Sequence, residues 1–198
     1  IQASLVGSEM CIRDRFKWDQ TKNIAINISK WINNSPDKTS LLFCYSLGKA
    51  QRLLNEISKT NFEGNIYTHA SIHKMNDCYR QLGICIKDTI KIENKKKIDD
   101  LKGNLILLPP SLSKGSYLKN FKNIQTAFAS GWMSIRALRN RSGYDKGFAI
   151  SDHADWEGIL EVVKKSEAKN VFFHHGDSEA LSKYLSEKES INVLLFEK

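Results

Sequence analysis

From Phe16 onward, short apolar runs alternate with amphipathic segments, and that alternation leaves the chain few folds to choose from. An apolar run of about four to eight residues between turn formers suits a strand covered on both faces. Apolar side chains spaced roughly 3.6 residues apart suit a helix laid over it. Residues 39–45 are such a run, leading into Ser46-Leu-Gly-Lys-Ala-Gln-Arg-Leu-Leu54, where a serine and a glycine open a helix. Before them, residues 19–33 carry Ile24, Ile28, Trp31 and Ile32 at helical spacing, ended by Asn34-Ser-Pro-Asp37. Strands are predicted at 65–69, at 105–108 before Pro109-Pro110 and at 126–129 before Ser130-Gly131, and a short helix at 76–82, closed by Gly83. The lysine-rich stretch 91–100 reads as a solvated loop or helix face. Two further strand-then-helix units follow. Residues 147–150 precede a helix bearing Trp156, Ile159, Leu160 and Val163; residues 170–173 precede a helix over 178–187 with Ala180, Leu181, Tyr184 and Leu185 on one face; a strand at 192–196 follows. The pattern predicts an α/β fold with a mostly parallel sheet.

A chain of 198 residues, 41% hydrophobic and with three prolines, can bury the core of one domain or one and a half. Its net charge of +8 favours a polyanionic partner such as nucleic acid. A membrane partner is disfavoured, because no basic amphipathic helix or long apolar span is present. Cys11, Cys44, Cys78 and Cys85 form no C-x-x-C pair, which fits a reducing cytosol, and no secretory signal is visible, so a cytoplasmic location is expected. Between Lys114 and Lys146 one acid, Asp145, stands against seven bases: Lys114, Lys119, Lys122, Arg136, Arg139, Arg141 and Lys146. Tyr117, Phe121, Trp132 and Tyr144 are interleaved with them. Such a stretch can track a phosphate backbone and offer rings for base stacking, or it can be a solvated basic loop.

The segment Ser151-Asp-His-Ala-Asp-Trp156 sits where a strand gives way to a helix. Ser151 or Asp152 would cap that helix, with Asp155 three residues beyond Asp152 as a carboxylate variant of the capping box. Capping accounts for Asp152 and Asp155 but leaves His153 unexplained. Open α/β sheets build their sites at the carboxyl ends of strands, where this histidine falls. His174-His175-Gly-Asp177 occupies a second junction of the same form, and two successive units set His153 and His175 along the same sheet edge. His69 and His73 are spaced as half a helical zinc site but lie beside a strand signal, without a third ligand near them in sequence.

Ser4 to Arg15, SLVGSEMCIRDR, is similar to the conceptual translation of a transposase-type sequencing adapter, so residues 1–15 are expected to be non-native and are set aside. The remainder, through YSLGKAQRLL, ASGWM, SDHADW and the His-Gly turn, resembles the β-CASP branch of the metallo-β-lactamase-fold nucleases, and within it the bacterial ligase-associated DNA exonucleases. The resemblance implies a β-CASP domain, a parallel sheet with flanking helices, over residues 16–144. It implies that 145–198 is the returning carboxyl-terminal part of a metallo-β-lactamase αββα fold whose first half is missing. His153 matches a histidine near the scissile phosphate that bonds an acidic partner and helps protonate the leaving oxygen. His175 matches a ligand to one of two zinc ions, with His174 given no ligand role. Ser46, Gly48 and Lys49 match a turn that could hold a backbone phosphate. A nucleotide P-loop is the competing reading of Gly48-Lys49, but its upstream glycine is absent.

In that family two zinc ions, about 3.5 to 4 Å apart, assist in-line phosphodiester hydrolysis. The His-x-His-x-Asp-His motif that supplies most of their ligands is not found ahead of Phe16, nor is the acidic partner of His153. This chain alone is therefore expected to retain no zinc and to be inactive. For the parent, the resemblance implies a zinc-dependent DNA exonuclease acting with a DNA ligase and helicase. One alternative is an RNA-processing nuclease of the same superfamily. Met133 to Arg136 replaces a glycine-threonine-glycine element common in RNA-cleaving relatives, which tilts the expectation towards DNA. The other alternative is a non-catalytic nucleic-acid-binding module.

Overall fold

Thr39–Phe43 (β1) is buried at all five positions, and Leu105–Leu108 (β4), Leu-Ile-Leu-Leu, at all four. Strands with this composition are stable only with both faces covered, so they belong at the centre of a sheet. In the computed structural model, which describes residues 17–92, 101–173 and 179–195, they are central. The chain separates into two compact units, one of them Asp19–Ile150 and the other built around Ser151–Lys198.

The first unit holds a six-stranded sheet. With Ile66–Thr68 (β2), Ile90–Lys91 (β3), Ile124–Ala129 (β5) and Lys146–Phe148 (β6), the order is β3-β2-β4-β1-β5-β6. Every pairing is parallel, with Phe43 opposite Leu108 on one side and Phe128 on the other. Parallel strands need long crossovers: Lys49–Ile57 (α2) joins β1 to β2 and Ala70–Gln81 (α3) joins β2 to β3, while Thr21–Asn33 (α1) precedes β1 and packs beside them. Leu42, Cys44, Leu105, Leu107, Ala127 and Ala129 meet Ile28, Leu53, Leu54 and Ile72 of these helices in one core. On the opposite face Leu41, Phe43, Ile106 and Leu108 pack beneath Phe121, with Tyr117, Leu112 and Tyr144 closing the layer. The α/β architecture and its parallel sheet flanked by helices follow the sequence pattern.

Three details depart from it. The helix predicted at 76–82 begins at Ala70, because the side chains it buries are Ile72 and Asn76, and a buried asparagine leaves no apolar period to read. The short edge strand β3 has no counterpart in the sequence pattern; it pairs two residues with β2, and both are exposed. The rest of the lysine-rich stretch, residues 93–100, lies outside the described residues. Arg136–Arg141 (α4) forms a short helix within the basic stretch, between β5 and β6.

The second unit pairs Asn170–Phe173 (β7) with Asn192–Leu195 (β8) in a separate parallel sheet, and Trp156–Lys165 (α5) and Glu179–Lys188 (α6) supply its helices. Val171, Phe173 and Val193 turn towards Ile159, Leu181 and Leu185, and on the other face Phe172 and Leu194 are exposed and opposite each other. β6 joins the six-stranded sheet and β7 the two-stranded one, and the edge expected to carry His153 and His175 together involves His175, which lies outside the described residues. Apolar runs of this length report that a strand exists, not which sheet it joins. β6 hydrogen-bonds to β5, so the first compact unit runs on to Ile150. No helix among the described residues is long and apolar enough to cross a membrane.

Truncating the centre of the sheet should cost most. Leu107, fully buried, should lose about 2–5 kcal/mol of unfolding free energy as Leu107→Ala. Leu138→Ala, at an exposed position, should stay within about 0.5 kcal/mol. Urea unfolding of the two variants checks this; equal losses would mean that the sheet centre is not the stabilising core.

Candidate functional site

The carboxyl tip of β1 continues into Tyr45-Ser46-Leu47-Gly48, and Gly48 adopts φ +78°, a left-handed conformation that favours glycine. This lets the chain reverse into α2 within one residue. The turn closes on itself, since the Lys49 amide donates to Leu47 O (3.0 Å) and the Ala50 amide to Tyr45 O (3.2 Å). Two amides that a phosphate cradle would draw on are therefore engaged. Lys49 is buried, with its ammonium nitrogen 5.0 Å from the centroid of the Tyr45 ring. The structure thus gives Lys49 a packing position beneath an exposed ring.

Beneath this turn lies a polar network that the sequence did not reveal. Gln51 Nε2 donates to Ser46 O (3.0 Å) and to Asn76 Oδ1 (2.8 Å), and the Ser46 and Ser71 hydroxyls are 3.1 Å apart. His69 caps α3: its Nδ1 accepts from the Ser71 amide at 3.2 Å and lies 2.9 Å from Ser71 Oγ. Burial lowers its pKa from the ordinary 6.5. His73 Nδ1 is 3.1 Å from Thr68 Oγ1. As His69 precedes the helix and each Nδ1 faces a hydroxyl, the pair does not form the helical half-site that its spacing suggested. The signal for the network was available only as a histidine directly after a strand.

Arg136, Arg139 and Arg141 are exposed on α4, and Lys146 is exposed on the edge strand β6. Helical spacing sets Arg136 and Arg139 on one face and turns Arg141 away. Gly147 permits the close packing of α4 on β6, since a Cβ there would lie 2.8 Å from Met133 Sδ and 3.0 Å from Arg139 Cγ. Asp145 is engaged by the Thr126 amide (2.7 Å) and hydroxyl (2.9 Å). Of the four rings interleaved in this stretch, three are packing groups. Tyr144 lies against Phe128 and Phe43, Tyr117 meets Phe121 edge-on, and Phe121 is buried. Trp132 is the one of the four that stays exposed.

In the second unit the Ser151–Trp156 segment is ordered by its own polar groups. The His153 amide donates to Ser151 Oγ (3.2 Å), and Ser151 is buried. Asp155 is the cap of α5, its Oδ1 accepting from the Gly158 amide (2.8 Å) and its Oδ2 from the Trp18 amide (3.1 Å). The cap is therefore not Ser151 or Asp152, because the helix starts at Trp156, later than the apolar spacing implied. Asp152 and His153 are exposed on the turn. His175 and its neighbours 174–178 lie outside the described residues. Among the described residues no three histidine, cysteine, aspartate or glutamate side chains gather as a metal site, so these residues by themselves do not fit zinc.

Residues 147–195 match the family model described as a Zn-dependent metallo-hydrolase RNA specificity domain. Over 152 residues the chain is 26% identical to a probable DNA ligase of Opitutus terrae, an alignment covering 77% of this chain and 14% of that protein. The first match concerns the carboxyl-terminal part of the chain, and the second spans only a small part of the relative's length.

Asp155→Ala should destabilise the protein by about 0.5–2 kcal/mol in urea unfolding, with Asp155→Asn recovering most of it. An unchanged midpoint would remove Asp155 from the helix start. The lowered pKa of His69 has a defined sign, since the unfolded chain binds the proton more tightly. The contribution of His69 is complete above its unfolded value near 6.5 and is lost as pH falls from there through the folded value. His69→Gln should flatten that part of the stability-versus-pH curve.

Proposed function

We propose that this chain is part of a cytoplasmic zinc-dependent exonuclease that hydrolyses phosphodiester bonds in DNA and works beside a DNA ligase and a helicase. The observation that carries the reading is an exposed imidazole, His153, on a turn fixed by Ser151 and followed by a capped helix, within the stretch that matches a metallo-hydrolase family model. In this reading the ring of His153 faces the scissile phosphate and delivers a proton to the leaving oxygen, a role worth about 10²- to 10⁴-fold in rate. Asp152, exposed beside it, orients that ring, and His175 is a metal ligand. The further ligands that two zinc ions require are not among the described residues. Residues 16–144 are the β-CASP domain and 145–198 the returning segment. The exposed Arg136, Arg139, Arg141 and Lys146 serve the nucleic-acid strand through its phosphates. The likeness to a probable DNA ligase of Opitutus terrae supports the ligase association.

A second reading, an RNA-processing nuclease, is favoured by the RNA specificity in the family description. The full-length protein with zinc, given matched single strands of each kind, should release nucleotides faster from DNA. Faster release from RNA would establish the second reading, and release from neither would overturn both. In the full-length protein His153→Ala should lower kcat by about 10²- to 10⁴-fold with zinc content unchanged, and an unaltered kcat would remove His153 from the chemistry. Replacing Arg136, Arg139 and Arg141 together with alanine should lower the dependence of binding on salt, by a log–log slope of about 0.7 for each phosphate of a single strand that is no longer neutralised. An unchanged slope would place the strand elsewhere.

A further inference from the structure

We infer that Tyr45 and Trp132 form a base-stacking platform for single-stranded nucleic acid at the carboxyl ends of β1 and β5, an inference that rests on the nucleic-acid reading above. Among the described residues of the first unit, these two rings are the exposed large aromatic side chains, Tyr45 at 54% and Trp132 at 41% exposure. An exposed indole and phenol in a unit whose other described rings are buried or partly buried need a reason.

Their placement supplies one. β1 and β5 are adjacent parallel strands in register at Phe43 and Phe128, so Tyr45 and Trp132 follow neighbouring strand tips on one edge of the sheet. The chain leaves those tips in opposite directions, from β1 through α2 to β2 on one side and from β5 through α4 to β6 on the other. Adjacent strands whose connections diverge leave a crevice outside their carboxyl ends, where open α/β sheets take their ligands.

Both residues are also held before any ligand arrives. The Lys49 ammonium lies 5.0 Å from the Tyr45 ring centroid, an attraction that restrains the ring. Trp132 sits in the single-turn helix Gly131–Ser134, with its carbonyl accepting from the Ile135 amide (3.1 Å) and the next residue, Met133, buried. Backbone positions fixed in advance lessen the freedom lost when a base stacks on the side chains they carry. The nearby cations fit a polyanion: Lys49 lies against the Tyr45 ring, and the helix α4, which directly follows the turn holding Trp132, carries Arg136 and Arg139 exposed on one face. Cations for phosphates beside sequence-tolerant aromatic faces suit an unpaired strand better than an apolar peptide or a duplex.

The test uses the full-length protein, a twelve-residue oligothymidylate and an abasic strand of the same length, with Tyr45→Ala, Trp132→Ala, Tyr45→Phe and Trp132→Phe. Each alanine variant should bind oligothymidylate about 5- to 100-fold more weakly, as expected for loss of one stacked base. It should bind the abasic strand as the wild type does and keep the same salt dependence, whereas the phenylalanine variants should stay close to wild type. Urea midpoints check that truncation at these exposed sites leaves the fold intact. Alanine variants with wild-type affinity for oligothymidylate, or with equal losses on both strands, overturn the platform while leaving the nucleic-acid reading standing. A wild-type protein that binds neither strand overturns both.

Discussion

The burial of β1 and β4 on both faces is the constraint from which the rest of the first unit follows. Nine strand positions without exposure force helices onto one side and an aromatic layer onto the other, and parallel pairing then forces the crossovers that make those helices. Because the strands are parallel, their carboxyl ends collect on one edge. The turn at Tyr45–Gly48, the cap at His69 and the single-turn helix holding Trp132 therefore gather at that edge as a consequence of strand direction.

Polar groups at this edge are satisfied mainly by neighbours within the same turn or the next helix. Gln51 and Asn76 are buried and joined by a 2.8 Å hydrogen bond, which ties α2 to α3 beneath the Ser46 turn. A buried amide pair of this kind is costly to disturb, since removing one partner leaves the other desolvated. Their satisfaction is incomplete: Gln51 Oε1 and Tyr117 Oη are buried with no protein hydrogen-bond partner. The second unit solves its helix start with a single carboxylate, Asp155, whose two oxygens serve Gly158 and Trp18. In both units the strand-to-helix turn is stiff, and stiffness there presents Tyr45 and His153 at fixed positions to solvent.

The functional reading separates along the same lines. The first unit contributes cations and two exposed rings, groups suited to holding a strand without reading its sequence. The turn at His153 contributes a titratable imidazole, a group suited to moving a proton. The described residues hold no metal cluster of their own, so the chemistry of the proposed hydrolase depends on ligands beyond them.

Sequence alone determined most of the element types and the mostly parallel sheet, because solid apolar runs such as Leu-Ile-Leu-Leu suit strands covered on both faces. It also marked the Ser151–Trp156 segment, since a histidine between two aspartates at a strand-to-helix junction exceeds what a cap requires. It could not assign the cap to Asp155, start α3 at Ala70 or place β6 and β7 in different sheets. Those outcomes depend on hydrogen bonds and strand partners distant in the chain, such as Trp18 to Asp155 and β5 to β6. Nor could it separate exposed rings from packed ones: Tyr117, Phe121, Tyr144 and Trp132 are alike as residue types, and only the tertiary fold stacks Tyr144 on Phe128 while leaving Trp132 in solvent. Residue type and spacing fix local geometry, whereas exposure is a property of what the rest of the chain brings alongside.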